Sequence, residues 1–580
     1  MHPRWLVFGF WAALAVAGGL FVALGVEHVR YPGFLELMEA DSLQQIARIA
    51  AGRPAYPMPD GEFIALAYTP LYYFASAPLY SLLGDSFAGP RLVSFVAALA
   101  SGLLLFRMAK RETGHAHLGA LAAALFFAGY RIMDAWLTCA LPDSLFLLML
   151  LCGFWFLAYG TRGWHEAAWL LFFTLAFWTK QHGAFFFGFA VLYALFFRQN
   201  LWPRWTFLAG IVVGGPVLYF TLARWLGEGF VQQTLVVPGN WERSAFHSIK
   251  RTAFVLAEFL PFALLSSAVY LRTAFQRKPL RVAAPAWMMA TALLATAATM
   301  TVAGSSNNHY IPFVALTCLT ATLGINDLLK ADVSPRLQWF LGLGLAGIQL
   351  VSSAVTYVAL QLFPHHPVPA FVPEVAAMAL ISFAVLAAFR GSNGDTPEGT
   401  PAAPPRSGWG IAIVLILVAA QFATSQFRWK QQVADPTFAS GLHRLRDELK
   451  NLDGPVVWLP YGRIPTELSG MTLETFPSTV ALEDIVRQRN VQGTTAEQLA
   501  PFFDHVLSHD RLYVLSDERI EDTVVWNEVP VKWTLVRDCG RDYSSVRQIT
   551  QHWFGGGSFP RYLYRMNPSP GVTYRSLSAR

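Results

Sequence analysis

Charge is scarce in this 580-residue chain, with only 14% of residues being Asp, Glu, Lys or Arg, against about 25% in ordinary soluble domains. Together with 54% hydrophobic residues and a mean hydropathy of +0.39, that scarcity excludes a single water-soluble globule. So much apolar surface at this length has to be solvated by lipid. Cysteine is scarce too. Cys139, Cys152, Cys318 and Cys539 stand far apart and form no C-x-x-C, which excludes a disulfide framework and a cysteine-based zinc site. No cluster of His, Asp and Glu with metal-ligand spacing is apparent, and the pair His365-His366 is too little for one. The chain has no obvious internal repeat, and its C-terminal part from about 430 has no phosphate loop and no nucleophile motif. The net charge of +6 comes from basic residues scattered over short loops between apolar runs, so it points to no nucleic-acid partner.

What is present is a series of apolar runs bounded by charges, Pro or Gly. They lie at 5–26, 87–108, 117–130, 140–160, 166–179, 183–197, 206–223, 252–271, 283–303, 309–327, 337–361, 370–390 and 409–425. Most approach the ~20 residues that cross ~30 Å of hydrocarbon. The runs at 117–130, 166–179 and 183–197 are shorter and read as broken or half-buried elements. The sequence therefore predicts an α-helical polytopic membrane protein with about 13 transmembrane helices. Its 45 Phe, 19 Trp and 19 Tyr suit that reading, since Trp and Tyr settle at headgroup level. The first run follows Arg4 but lacks an A-x-A cleavage site and is long for a signal peptide, so it reads as an anchor.

Basic loops set the orientation. With the N-terminus cytoplasmic, the inside loops hold Arg107, Lys110, Arg111, Arg162, Arg198, Arg204, Lys330, Arg336, Arg390, Arg406 and the stretch RTAFQRKPLR. The outside short loops hold fewer: Arg131, Lys180, Arg224, Arg243, Lys250 and Arg251. The positive-inside rule then predicts an N-in, C-out protein.

Residues 1–428 form the membrane part, with a long first outer loop at 27–86. Within that loop Thr69-Pro70-Leu71-Tyr72-Tyr73 opens a helix expected along the membrane surface. Residues 224–251 form a second long outer loop. The stretch GSNGDTPEGTPAAPPRSG, 391–408, is a cytoplasmic linker. From 429 to 580 the composition becomes that of a soluble domain. FASGLHRLRDELKNL reads as an amphipathic helix, and Thr494-Thr495-Ala496-Glu497 as a capping box. VVWLPY, RLYVLS, VKWTLVR and RYLYRM read as strands, so a small C-terminal α/β domain is expected on the non-cytoplasmic face.

Five polar clusters fall on the predicted outer face, where such residues are expensive. They are Glu36, Glu39 and Asp41; Arg131 and Asp134; Pro142-Asp143-Ser144; Thr179-Lys180-Gln181-His182; and Gly304-Ser305-Ser306-Asn307-Asn308-His309. Each has a plainer reading. Asp143 can cap a helix, Lys180 can snorkel to the boundary, the Asn-rich stretch can be a polar turn, and loop acids can be solvated. All five lying on one side favours a shared purpose. A carboxylate can deprotonate an incoming hydroxyl, while Lys and Arg hold phosphate or pyrophosphate. Together they suit an anionic lipid substrate.

The stretches MEADSLQQIARIAAGRPAY, YTPLYYFASAPLYSLLGDSFAGPRLVSFVAAL, ALPDSLFLLML, LAFWTKQHGAFF and NNHYIPFVAL carry a resemblance. Over roughly residues 5–330 the chain resembles the GT-C superfamily of polyprenyl-phosphate-sugar-dependent glycosyltransferases. The likeness is to the bacterial relatives of protein O-mannosyltransferases and aminoarabinose transferases. The resemblance implies a GT-C fold and an acid of the first outer loop as general base, here Asp41 or Glu39 with the lean to Asp41. It implies an inverting transfer from a polyprenyl-phosphate sugar to an acceptor hydroxyl of a lipid, glycan or protein. Lys180 and Arg131 are the implied phosphate partners, with Gln181, Asp143, Tyr72, Asn308 and His309 expected to bind substrate. Two features depart from the family. Ala140-Leu141 precede the Pro-Asp pair where members often have Arg, and the Asp-Glu pair of protein mannosyltransferases is absent, which argues against protein mannosylation. The implied localisation is a multi-pass inner membrane. No cofactor is expected beyond the lipid-linked donor, and no metal is indicated. The rival reading is a lipid or solute transporter or flippase, which would be expected to show paired repeats and broken helices meeting at midplane.

Overall fold

The computed structural model describes residues 4–197, 204–246, 284–302, 307–330, 436–459, 495–523, 531–539 and 561–567, with short pieces between them. The expected helices at 337–361, 370–390 and 409–425, most of 252–271, the linker 391–408 and His365-His366 lie outside the described residues.

Helices dominate. α1 runs Arg4–Arg30, α2 Glu39–Ala50, α3 Leu71–Leu83, α4 Ala88–Thr113 and α5 Ala116–Ala128. The short α6, Tyr130–Met133, leads through the 3-10 turn Asp134–Leu137 to α7, Asp143–Tyr159. α8 Gly163–Thr179, α9 Gly183–Phe197 and α10 Arg204–Leu226 follow, then the helices Ala284–Thr299 and Ile311–Lys330. Apart from α2, α3 and the short α6, which lie in loops, each matches an apolar run, with ends shifted by a few residues. Among the described residues α4 is long and apolar enough by itself to cross a membrane; α5, α7, α9 and Ala284–Thr299 are shorter apolar helices. At 1.5 Å per residue α4 spans about 39 Å. It stops at Gly114, whose φ of +78° is left-handed and whose N–H reaches back to the Lys110 carbonyl, a glycine helix stop.

The helices pack as a bundle in which α4 is central, touching α1, α3, α5, α7 and Ile311–Lys330. Trp136 and Trp169 are fully buried within it. Gly89 lets α4 begin tight against α3, because a Cβ there would lie 2.8 Å from the Leu79 and Tyr80 backbone. That approach carries Arg91 under the start of α2.

In the C-terminal part, all four expected strands form: β1 Val456–Trp458, β2 Tyr513–Ser516, β3 Lys532–Asp538 and β4 Tyr562–Asn567. The sheet order is β1-β2-β4-β3, with β1 and β2 parallel and the other pairs antiparallel. The helix Thr495–Leu507 lies between β1 and β2 in sequence and supplies the helical crossover that a parallel pair needs. Its Phe502, Phe503 and Val506 pack with Trp526, Leu512 and Val514. Each such side chain, fully buried, contributes about 1.5–3 kcal/mol.

This domain rests on the first outer loop. Ile64 of the loop is buried in the domain's own core, and Phe34 meets Trp458 edge-on at 6.5 Å. Gly61 sits so close to His505 and the Pro501 carbonyl that no larger residue fits without a shift. The loop is thus pinned from above by the α/β domain and from below by the bundle.

Candidate active site

The site is built from helix ends, because it is there that the sequence places its polar residues. Glu39 opens α2 and is fully buried. Its Oε1 accepts hydrogen bonds from Arg91 Nε at 2.9 Å and the Ala140 N–H at 2.5 Å. Its Oε2 accepts from Arg91 Nη2 at 2.6 Å and the Leu35 N–H at 2.7 Å. Arg91, equally buried, gives its other protons to the carbonyls of His28 at 3.0 Å, Tyr31 at 2.5 Å and Gly33 at 2.6 Å. Its guanidinium lies 4.6 Å from the centre of the Phe87 ring. One bidentate pair therefore ties the end of α1, the start of α2, α4 and the segment before α7 into a single knot. The sequence reading assigned Arg91 no role. The available signal was an arginine near the start of an apolar helix, which demands a partner, but nothing local names Glu39, 52 residues away.

Asp41 lies one step further into the first turn of α2, 1% exposed. The positive end of the helix dipole favours a carboxylate there. Asp41 is close enough to Tyr73 and Glu36 to raise the pKa of each. Glu36, in the loop before α2, is buried and accepts the Met38 N–H at 2.6 Å. Burial pushes its carboxyl well above the ordinary 4.5, and Glu39, Asp143 and Asp41 push it further. Four carboxyls thus gather around the start of α2. A carboxyl raised in the folded state stabilises the protein below its ordinary pKa, and that contribution is lost as pH rises through the raised value. E36Q should therefore melt close to wild type near pH 4.5 and increasingly above it as pH rises, as thermal scans in detergent across pH 4–9 will read. A gap that stays constant with pH would contradict the burial of an ionisable Glu36.

The second half of the site lies where α8 turns into α9. Gly183 makes that turn tight, since a Cβ would collide with the Phe177 backbone. Lys180 and His182 are thereby presented side by side. Lys180, 1% exposed, donates to Asp143 Oδ1 at 2.6 Å and lies 5.0 Å from the centre of the Tyr68 ring. Asp143 is the first residue of α7, after the N-cap Pro142, so the ion pair sits at the helix's positive end. The turn Asn307–Tyr310, ahead of Ile311–Lys330, brings Asn308 beside the Asp143 carboxyl and the His309 ring 4.7 Å from that of His182. Between them is a small cavity lined by Phe146, Lys180, His182, Phe186, Asn308 and His309, with Thr296, Thr299 and Pro312 among the rest. Among the described residues, Asn308 Oδ1 and His309 Nδ1 have no hydrogen-bond partner. His182, in the turn between helices, is held neutral: burial first and then Lys180 lower its pKa to about 3. Burial also lowers His309, aided by His182 and Lys180.

The structure thus brings four of the five clusters together at one end of the bundle. Tyr72 lies near Glu39; its hydroxyl donates to the Pro90 carbonyl at 2.8 Å and pairs with Ser94 at 3.0 Å, locking α3 onto α4. Gln181 points away from the cavity and braces the outer loops, its Nε2 reaching the Ala67 carbonyl at 2.7 Å and the Thr234 carbonyl at 3.1 Å. Thr234 belongs to a π-helical turn, Gln232–Val236. The side chains of Arg131 and Asp134 lie outside the described residues; the backbone of α6, which carries Arg131, packs against the Asn307–Tyr310 turn. Among the described residues, no three His, Cys, Asp or Glu side chains are grouped so as to hold a metal.

Residues 67–220 match the family described as dolichyl-phosphate-mannose-protein mannosyltransferase. No curated protein matches the chain in sequence. Among solved structures, ArnT from Cupriavidus metallidurans bound to undecaprenyl phosphate is similar over 98% of this chain and 99% of its own. The identity is 14% and the TM-score 0.55. ArnT from the same organism in the apo state is similar over 97% and 99%, at 14% identity and a TM-score of 0.57. The chain has the fold of those structures over nearly its whole length.

Proposed function

We propose that this protein is a membrane glycosyltransferase that moves a sugar from a polyprenyl-phosphate carrier to an acceptor hydroxyl, with inversion, on the non-cytoplasmic face. The observation that carries the reading is the meeting, at one end of the bundle, of buried carboxyls around α2 with the Lys180–Asp143 pair and its cavity. The family match over 67–220 and the ArnT fold support the class. The undecaprenyl phosphate bound by ArnT supports a polyprenyl carrier. Basic loops on the opposite side support the orientation.

In the proposed step the acceptor oxygen attacks the anomeric carbon as the bond to the carrier phosphate breaks. The acceptor proton passes to Asp41, and the carrier leaves as polyprenyl phosphate. One displacement inverts the anomeric centre. Asp41 is preferred as base because four hydrogen bonds hold Glu39 as an acceptor within the Arg91 knot. Glu39 is then a positioning residue that fixes the first turn of α2. Lys180 has three protons, and its hydrogen bond to Asp143 uses one; another is available to the leaving phosphate, where a fixed cation stabilises developing charge. The lipid-linked sugar is itself the donor, so the scheme asks no further cofactor. In this reading the α/β domain, packed on the long loop 27–86 through Ile64, receives the acceptor, whether lipid, glycan or protein.

The test is transfer itself. Purified protein, given radiolabelled polyprenyl-phosphate sugars and membrane extract, should release label from the carrier in wild type and lose that release in K180A. Folded protein that leaves every carrier intact would move the transporter reading ahead.

A further inference from the structure

Lys180, the cation assigned above to the carrier phosphate, is shut away from solvent, at 1% exposed. Its ammonium pairs with Asp143 at 2.6 Å, and Asp143 is itself buried. It borders the small cavity shared with Phe146, His182, Phe186 and Asn308, which has room for about one water and none for a phosphate. It also lies over the ring of Tyr68, 5.0 Å from the ring centre. Tyr68 is half-buried, so this cover, unlike Asp143, reaches the surface of the protein. A phosphate that is to meet Lys180 comes from the Tyr68 side.

The ring is held over the cation by a tied backbone. Tyr68 stands in the irregular stretch that leads into α3. Gln181 Nε2 donates to the Ala67 carbonyl at 2.7 Å, and the Tyr56 hydroxyl donates to the Tyr68 carbonyl at 2.5 Å. The Thr69 hydroxyl donates to the Phe177 carbonyl at 2.7 Å. Three successive residues are thus fastened to the α8–α9 turn, to the loop itself and to the last turns of α8. Pro70 follows, with its fixed φ and its restriction on Thr69. The elements that present Lys180 therefore also fix the backbone of the residue that covers it. Opening falls to the Tyr68 side chain, by rotation about χ1, which is a fast motion for a ring at the surface.

We propose that the Tyr68 ring is the gate to Lys180: it lies closed over the ammonium and turns aside to let the anionic phosphate of the carrier take its place. A charge-assisted hydrogen bond to phosphate is a stronger partner for a buried ammonium than a π face, so an anion drives the exchange and a neutral headgroup does not. While closed, the ring lowers the apparent affinity for the carrier by the fraction of protein that is open. Tyr68 is a positioning residue, since it touches Lys180 and not the reacting atoms. The identity of the anion rests on the glycosyltransferase reading; the cover over Lys180 does not.

The experiment uses the full chain in detergent as wild type, Y68F, Y68L and Y68A. One readout is the rate at which Lys180 is acetylated by a small water-soluble reagent, followed by mass spectrometry with the exposed Lys450 as internal control. The other is the association and dissociation rate of a short-chain polyprenyl phosphate that carries no sugar. Y68A should be labelled at Lys180 about tenfold faster than wild type, the factor to which a desolvated cation–π contact corresponds. It should bind the carrier about tenfold tighter, through the association rate alone. Y68F keeps the ring and should match wild type in both, and Y68L, which packs without a π face, should lie between. Equal labelling of Lys180 in wild type, Y68L and Y68A would overturn the gate. Weaker carrier binding by folded Y68A would overturn it as well, because the ring would then be part of the phosphate's seat. Faster labelling in Y68A, with no carrier bound by any of the four proteins, would uphold the cover over Lys180 and overturn the carrier reading.

Discussion

D41N should lower turnover by about 10²- to 10⁴-fold, the span that a general base contributes, with little change in apparent affinity for the carrier. Asparagine keeps the size of Asp41 but cannot take the acceptor proton. Asp41 is 1% exposed in the first turn of α2, and the substitution is isosteric, so it opens no cavity. The measurement is initial rate of sugar release against donor concentration, with the melting temperature of each variant as control. E39Q is the partner experiment. Gln at 39 keeps the shape but weakens the charged contacts to Arg91 at 2.6 and 2.9 Å, so its main effect should be on stability and on the yield of folded protein. The assignment fails if D41N turns over at the wild-type rate. It also fails if E39Q folds normally and loses the chemistry instead.

R91M should destabilise the protein more than any other single change among these residues, by about 3–5 kcal/mol, the cost of breaking one side of a buried ion pair. Methionine fills most of the volume, so the loss is electrostatic. Glu39 would stay buried without its cation, and the carbonyls of His28, Tyr31 and Gly33 would lose their donor. The double variant E39Q/R91M should cost clearly less than the two single losses added together, because the unpaired charge is gone. Melting temperature and monodispersity in detergent read all three variants. Additive losses would mean that the pair is not the coupled unit its geometry describes.

Much of this protein was legible before any coordinates. Apolar runs predicted nearly every described helix of the bundle to within a few residues, because membrane-spanning helices satisfy their own backbone and advertise themselves by composition. The four strands of the C-terminal sheet were legible for a similar reason, each being a short aromatic or β-branched run between polar turns. The clusters at Asp41, Asp143, Lys180 and Asn308-His309 stood out because polar groups are rare and costly in such a chain.

Long-range pairing was not legible. Glu39 and Asp41 are two residues apart in one acidic loop and look interchangeable; only the arrival of Arg91 from α4 gives the first a full set of structural partners. Tyr72 belongs to a conspicuous Thr-Pro-Leu-Tyr-Tyr motif, yet its hydroxyl is taken by the α3–α4 contact. His182 and His309, 127 positions apart by number, become one wall of a cavity only when the α8–α9 turn meets the Asn307–Tyr310 turn.

The division has a physical cause. By itself the sequence determined the solvent of this protein, the segments that become helices and strands, and the edge of the bundle at which its polar groups collect. Those properties follow from local composition and period. Tertiary structure alone decided which carboxylate is spent on a guanidinium, which cation is neutralised, and which ring covers it. Hydrogen bonds and ion pairs act over a few ångströms between atoms whose separation along the chain carries no trace of their meeting.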